Sequence, residues 1–226
     1  MKFLLNAAIE TLPTAANLQR WKKSPSDKCK LCLGRQTTDH CLNICKVGLD
    51  TGRWTWRHNN IVHYIMDSLD KSKYTVYSDL PGQEAAGGGT IPPEICVTPL
   101  KPDIVILNKH KKEMHIYELT CPLECNIEER HLYKQNKYAH FSTDITSFKT
   151  SIAAFEVSSM GFISKRNQSH LHSLHKLCTP GIKLSTFMKN ISTLSIYSSY
   201  HLWLCRSDPI FVQPPYLQPT FHDKQT

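Results

Sequence analysis

The chain has 226 residues, with 27 Lys and Arg against 19 Asp and Glu, a net charge of +8 and a pI near 9.0. That length supports one good core plus a small satellite, and the basic balance suits a polyanionic partner bound through its phosphates. No stretch reaches the ~18 apolar residues of a membrane helix. The apolar start is broken by Asn6 and stopped by Glu10, so no secretion signal is expected, and Cys96, Cys121, Cys125, Cys178 and Cys205, scattered without pairing spacing, read as reduced thiols.

In chain order, residues 1–27 form an N-terminal helical and linker segment: a short helix ending near Pro13, a second small helical piece and a polar linker over 21–27. Residues 28–46 carry Cys29, Cys32, His40 and Cys45 at spacings x2, x7 and x4. A close Cys-x2-Cys pair supplies two ligands from one tight turn, and four soft or borderline ligands suit tetrahedral zinc. His40 and Cys45 fall about one turn apart if 38–46 is helical, whereas Cys41 follows His40 directly and points elsewhere. Gly34 and the flanking Lys28, Lys30, Arg35 and Lys46 complete the pattern of a zinc knuckle, which either binds nucleic acid or staples the fold.

From Trp56 to Leu69 the apolar residues recur at helical spacing, with Arg57, His58 and Asn59 at the start, available to a phosphate. A β-rich run follows over 73–77. Residues 79–100 read as a flexible loop around Gly87-Gly88-Gly89; no Gly-Lys-Ser/Thr follows, so it is not a phosphate-binding loop. Residues 102–120 predict a hairpin, and 124–141 a helix on which Arg130, Lys134, Lys137 and Tyr138 are expected to share a face. A buried strand over 151–158, a His-rich helix over 170–178 and a long helix over 183–206 come next. His170, His172, His175 and His201 lack the neighbours of a metal site. The Pro-rich, polar stretch 209–226 reads as a disordered tail.

The hairpin carries the chemistry. Lys101-Pro102-Asp103 is followed, after fourteen residues, by Glu118. A turn centred between His110 and Lys111 pairs Leu107 with Met114, Val105 with Ile116, and Asp103 with Glu118. Opposed Cβ atoms on antiparallel strands lie ~5 Å apart, so two carboxylates there repel unless a cation lies between them. Acids are also common at strand ends. A shared Mg²⁺, which takes hard oxygen ligands, is the geometry of a metal-dependent phosphodiesterase. Lys101 belongs to a basic cluster over 101–112.

Taken together, the knuckle, Trp56-Arg57-His58-Asn59, Lys101-Pro-Asp103-x14-Glu118-Leu-Thr and Lys134-x-x-Lys137-Tyr138 resemble, in that order, the C-terminal region of non-LTR retrotransposon polyproteins. Thr11-Leu-Pro-Thr-Ala-Ala-Asn-Leu-Gln-Arg-Trp, Phe155-Glu-Val-Ser-Ser-Met-Gly-Phe and Ser199-Tyr-His-Leu-Trp-Leu-Cys-Arg extend the likeness over about 1–210. The resemblance implies an α/β fold: a restriction-endonuclease-like PD-(D/E)xK core, a mixed sheet flanked by helices over 52–208, preceded by the small zinc knuckle. It also implies nicking of target DNA to prime reverse transcription, with Asp103 and Glu118 holding Mg²⁺ and structural zinc on the four knuckle ligands. The superfamily's Lys position is Thr120 here, so Lys134 is the candidate catalytic cation, Lys137 the second, and Tyr138 lies one turn on. Arg57, His58, Asn59, Lys101 and Arg130 are the candidate DNA contacts. DNA is the expected partner, RNA a second, and the setting nuclear or otherwise cytoplasmic. In the parent elements a reverse transcriptase precedes this region, so a truncated, relic or independently expressed copy is expected, either active or a catalytically inactive nucleic-acid-binding remnant.

Overall fold

The run Ile104-Val-Ile-Leu, β-branched at its first three positions, is apolar throughout, as a strand covered on both faces must be. In the computed structural model, which describes residues 2–138, 141 and 145–219, it forms β2 (Ile104–Asn108) of a four-stranded sheet in the order β1-β2-β3-β4. Strands β1 (Thr75–Ser78), β2 and β3 (Glu113–Thr120) are antiparallel. Strand β4 (Lys149–Glu156) runs parallel to β3. A parallel neighbour needs a crossover connection. The described part of that crossover is a 3₁₀ turn at Glu124–Asn126 and helix α5 (Ile127–Tyr138). Residues 139, 140 and 142–144, over which the expected helix would end, lie outside the described residues.

Alternation along the strands sorts the side chains into two layers. Ile104, Ile106, Tyr117, Leu119 and Phe155 pack against α4 (Arg53–Ser68), α6 (Lys165–His175) and α7 (Leu184–Leu204). Val105, Leu107, Met114 and Ile116 face the other way, onto Tyr138 of α5 and the 91–100 segment. The architecture is therefore mixed α/β, a mixed sheet flanked by helices, with α5 alone among the described helices covering the second face.

Helix α4 buries Ile61, Val62, Ile65 and Met66 on one stripe. It packs along α7, whose own stripe is Phe187, Ile191 and Leu194. Near the chain 158–161, α7 replaces bulk with serine: Ser195 Oγ donates to Ser158 O at 2.7 Å and Ser192 Oγ to Gly161 O at 2.6 Å. Gly161 has φ +82°, and a Cβ there would fall 2.7 Å from Ile196 Cγ1, so the close crossing needs glycine.

Helices α1 (Lys2–Ala8) and α2 (Ala15–Arg20) precede the Cys/His segment. Phe3, Ala7, Leu12, Leu42 and Trp203 form a small second core that fastens this N-terminal part to the end of α7. A short α3 (Lys46–Asp50) leads into α4.

The stretch expected to be disordered from 209 onward is fastened to α4 as far as Leu217. Arg53 donates to Cys205 O and Asp208 O and lies over the Phe211 ring. Trp56 Nε1 donates to Pro214 O, and Leu217 N donates to Asn60 Oδ1. Its prolines lack N–H donors, so the strap is held by side chains of α4 rather than by a ladder. Residues 220–226 of that expected tail lie outside the described residues. Among the described residues no helix is long and apolar enough to cross a membrane.

Candidate active site and metal centre

The observed register sets Leu107 opposite Met114 and Val105 opposite Ile116, and strand β2 starts one residue after Asp103. One more step would oppose Asp103 to Glu118. There the backbone pairing is replaced by a reciprocal exchange: Asp103 N–H donates to Glu118 Oε1 at 3.1 Å, and Leu119 N–H donates to Asp103 Oδ2 at 2.7 Å. Each acid is locked by the other's strand. Strand parity turns Glu118, like Ile116, toward α5.

Helix α5 supplies the cation. Lys134 Nζ lies 2.6 Å from Glu118 Oε2 and 4.0 Å from Asp103 Oδ2. From α4, His58 Nε2 reaches Asp103 Oδ2 at 3.2 Å, and its Nδ1 contacts Asn59 Oδ1 at 3.0 Å. Asp103 is 7 % exposed and Glu118 1 %. The fold thus brings two carboxylates and one ammonium into a single buried cluster.

Electrostatics splits the two acids. Burial pushes Asp103 up, but the charge and hydrogen bond of His58, then Lys134 and the Leu119 amide, outweigh it and hold Asp103 below the usual carboxylate range. Glu118 is raised, first by burial and then by Asp103's charge; Lys134 offsets only part of this. Burial lowers Lys134, but the two carboxylates raise it more, so it stays charged. His58 is likewise raised: Asp103 overcomes the cost of burial.

Tyr138 lies one turn beyond Lys134. Burial first, then Glu118's charge, raises its phenol. Glu118, Lys134 and Tyr138 line a cavity of about 380 Å³ with Gln135 and His170.

The expected shared face of α5 needs correcting. Each helical residue steps about 100°, so the inward stripe is Ile127, His131, Lys134 and Tyr138, spaced four, three and four apart. Arg130 and Lys137 fall on the exposed side. Lys137 Nζ lies 4.8 Å from the Tyr138 ring centroid. Thr120, two residues after Glu118, keeps a buried hydroxyl without a partner.

Of the five residues expected to meet DNA, Lys101 and Arg130 are exposed. His58 and Asn59 are half-buried beside Asp103, and Asn59 Nδ2 also lies 3.5 Å from the Tyr216 hydroxyl. Arg57 is a correction. It is 2 % exposed, and its guanidinium donates to Ser199 Oγ, Asn43 Oδ1 and Cys121 O at 3.1, 2.8 and 2.9 Å. A group so enclosed ties α4 to α7, β3's end and the Cys/His segment, and does not reach a phosphate. A buried pair absent from the sequence reading is His131 Nδ1 with Glu156 Oε1 at 3.0 Å. Its members are 25 residues apart; the inward stripe of α5 was the signal that could have found His131.

In the Cys/His segment, the ligand atoms of Cys29, Cys32, His40 and Cys45 all lie within 4.8 Å of one another and could hold a metal ion. Cys32 Sγ is 3.2 Å from His40 Nε2 and 3.7 Å from Cys45 Sγ. The knuckle closes through Cys29 N–H to Gly34 O at 2.7 Å and Leu33 N–H to Cys29 O at 3.0 Å. A Cβ at Gly34 would lie 3.1 Å from His40 Cε1, so glycine lets the ring approach. His40–Ile44 is a π turn, closed by Cys45 N–H to His40 O at 3.0 Å. An α-helix would carry residues five apart to different faces; the wider π turn brings His40 and Cys45 together.

Burial alone would raise the Cys29 thiol, yet amide hydrogen bonds from Leu31 and Cys32 bring it below its ordinary value. Burial lowers His40, favouring the neutral imidazole that ligates metals. Cys41 turns away into the small second core, where burial pushes it up to about 12. Comparison with known protein families and with characterised proteins returns no match for this chain.

Proposed function

We propose that the chain is a Mg²⁺-dependent DNA endonuclease of the restriction-like kind its sequence resembles, nicking one strand of target DNA. The carrying observation is the convergence of Asp103, Glu118 and Lys134 at the open end of the β2–β3 ladder, both acids within 4.0 Å of one ammonium nitrogen. The two acids offer hard carboxylate oxygens of the kind a divalent cation takes, side by side and buried. Bound there, Mg²⁺ would supply Lewis-acid polarisation of the scissile phosphate and an activated water. Lys134 would hold the attacking water or offset charge growing on the phosphate. His58, fixed by Asn59, would keep Asp103 ionised and oriented.

Zinc is the proposed occupant of the Cys/His cluster. With Zn–S near 2.3 Å and Zn–N near 2.0 Å, tetrahedral edges are ~3.5–3.8 Å, close to the 3.2 and 3.7 Å separations seen. Its role in this reading is structural, holding Leu42 in the small core. The proposed partners are DNA, with RNA as a second polyanion, in the nucleus, with a reverse transcriptase in the parent element.

A second reading is a nucleic-acid-binding remnant without catalysis. The 2.6 Å Lys134–Glu118 ion pair favours it, because the ammonium already neutralises the acid a metal would use. Plasmid nicking with Mg²⁺ separates the two. The nuclease reading expects nicking by the wild-type protein and at least a ~100-fold loss in Glu118→Ala. Equal nicking by both would sink it, and salt-dependent binding without cleavage selects the remnant.

A further inference from the structure

Strand β4 is an edge of the sheet, and a parallel ladder with one neighbour engages only every second residue of a strand. Lys149 N–H donates to Lys112 O at 2.8 Å and Val157 N–H to Thr120 O at 3.0 Å, with unbroken register from Lys149 to Glu156. The odd-numbered residues therefore turn their N–H and C=O groups to β3, and Thr150, Ile152, Ala154 and Glu156 turn theirs outward. Helix α6 covers the far end, where the buried Asn167 amide donates to Glu156 O at 2.8 Å. Among the described residues nothing pairs with the outward backbone groups of Thr150 and Ile152. Both are half-buried, and Ser151 between them is exposed. A free edge of this kind is a template for another strand.

There is room beside it. The cavity of about 380 Å³ has Thr150, Ile152 and Ala154 along its floor. Ala153 and His170 line it too, although Ala153 belongs to the opposite layer of the sheet, on which α6 packs. The space therefore passes over the edge of β4, and alanine at 153 and 154 keeps that edge clear of bulk. The open end of the strand is basic. Lys149 begins it, and the β2–β3 turn that adjoins it through Lys112 presents Lys109, Lys111 and Lys112; all four lysines are exposed. Glu113, in register with Lys149, offsets only one of these charges.

We propose that β4 receives an extended, acidic segment of another protein as a fifth strand, with apolar residues over Ile152 and carboxylates among the four lysines. Donors alternate with acceptors along the edge, which matches a polypeptide backbone. Phosphates only accept hydrogen bonds, so a nucleic-acid backbone leaves the outward C=O groups without donors. A second copy of this chain would set one basic end against another in a molecule already at +8. In an antiparallel addition the residues opposite Thr150 and Ile152 make the ladder and face α5, while those between them face the other way. The recognition uses backbone rather than the acid pair, and the proposal stands whether or not the chain cleaves DNA.

The test is fluorescence anisotropy with a labelled, end-capped octapeptide of alternating Val and Asp. No Mg²⁺ is added, so cleavage does not enter, and a failed nicking assay leaves this result untouched. Saturable binding is expected, with the Thr150 and Ile152 amides protected in hydrogen exchange. N-methylation of one alternating set of peptide amides is expected to weaken binding at least ~tenfold, and of the other set less than ~threefold, because only one set faces β4. Ile152→Pro, which removes an outward N–H and no bond to β3, is expected to weaken binding about tenfold. A Val-Lys octapeptide of the same pattern is expected to bind at least ~tenfold more weakly. The proposal is overturned by absence of saturation up to about 1 mM peptide, by equal losses from the two methylated sets, by binding that leaves those two amides unprotected, or by equal affinity for the Val-Lys peptide. It is also overturned by a dimer in sedimentation that Ile152→Pro dissolves, which makes a second copy the occupant, and by protection of the same amides with duplex DNA alone, which makes the trough part of a DNA face.

Discussion

The Cys/His cluster and the acid cluster are built in opposite ways. The first draws its four ligands from residues 29–45, with one knuckle and one π turn doing the positioning. The second gathers His58 from α4, Asp103 from the lip of β2, Glu118 from β3 and Lys134 from α5. A short-range centre has little apolar surface of its own and depends on what its ligands bind. A long-range centre depends on the whole sheet and can be emptied of charge without losing its frame.

Removing the zinc proposed for the Cys/His cluster should therefore have the largest effect. Structural zinc in small domains contributes ~10–16 kcal/mol of apparent binding energy. Chelation, or Cys32→Ser, is expected to expose residues 1–46 to limited proteolysis while protection of β2 and β3 amides persists in hydrogen exchange. Joint collapse of both regions would show that the knuckle also holds the sheet.

Lys134→Met comes next. It leaves two buried carboxylates facing each other, at a cost of ~3–5 kcal/mol read in a denaturant midpoint. Nicking should fall with it, and added Mg²⁺ should restore stability but not activity. Arg57→Met should cost ~2–4 kcal/mol, because three acceptors lose their donor. The salt slope of DNA binding should stay unchanged; a slope smaller by about one would mean that Arg57 meets a phosphate after all. Lys137→Ala should do least. From the exposed side of α5 its stability effect is expected within ~0.5 kcal/mol, with nicking reduced less than threefold against the loss in Lys134→Met.

Periodicity made the long-range frame legible where burial alternates cleanly. Leu107, Val105, Met114 and Ile116 can sit in only one register without turning polar residues inward. The stripe Ile61, Val62, Ile65 and Met66 likewise marked α4. Ligand spacing marked the Cys/His cluster. Side chains whose partners are remote in sequence were not legible. Arg57 looks solvent-exposed until Ser199 and Cys121 arrive from other elements. Lys137 and Lys134 are equally basic in a string of letters, and only the direction of α5 on the sheet separates them. The strap 211–217 has the composition of disorder, but its contacts come from Arg53, Trp56 and Asn60, which composition cannot register.

The π turn has a mechanical consequence. It widens one coil by a residue, a rare distortion that recurs at functional sites. Leu42 rides on that coil and plugs the core of Phe3, Ala7 and Trp203. Without the zinc proposed for the four ligand atoms, the coil would be free to rewind and to rotate Leu42 out of its socket. A local chemical event at sulfur would thus be converted into slippage of the first helix against the end of the last one.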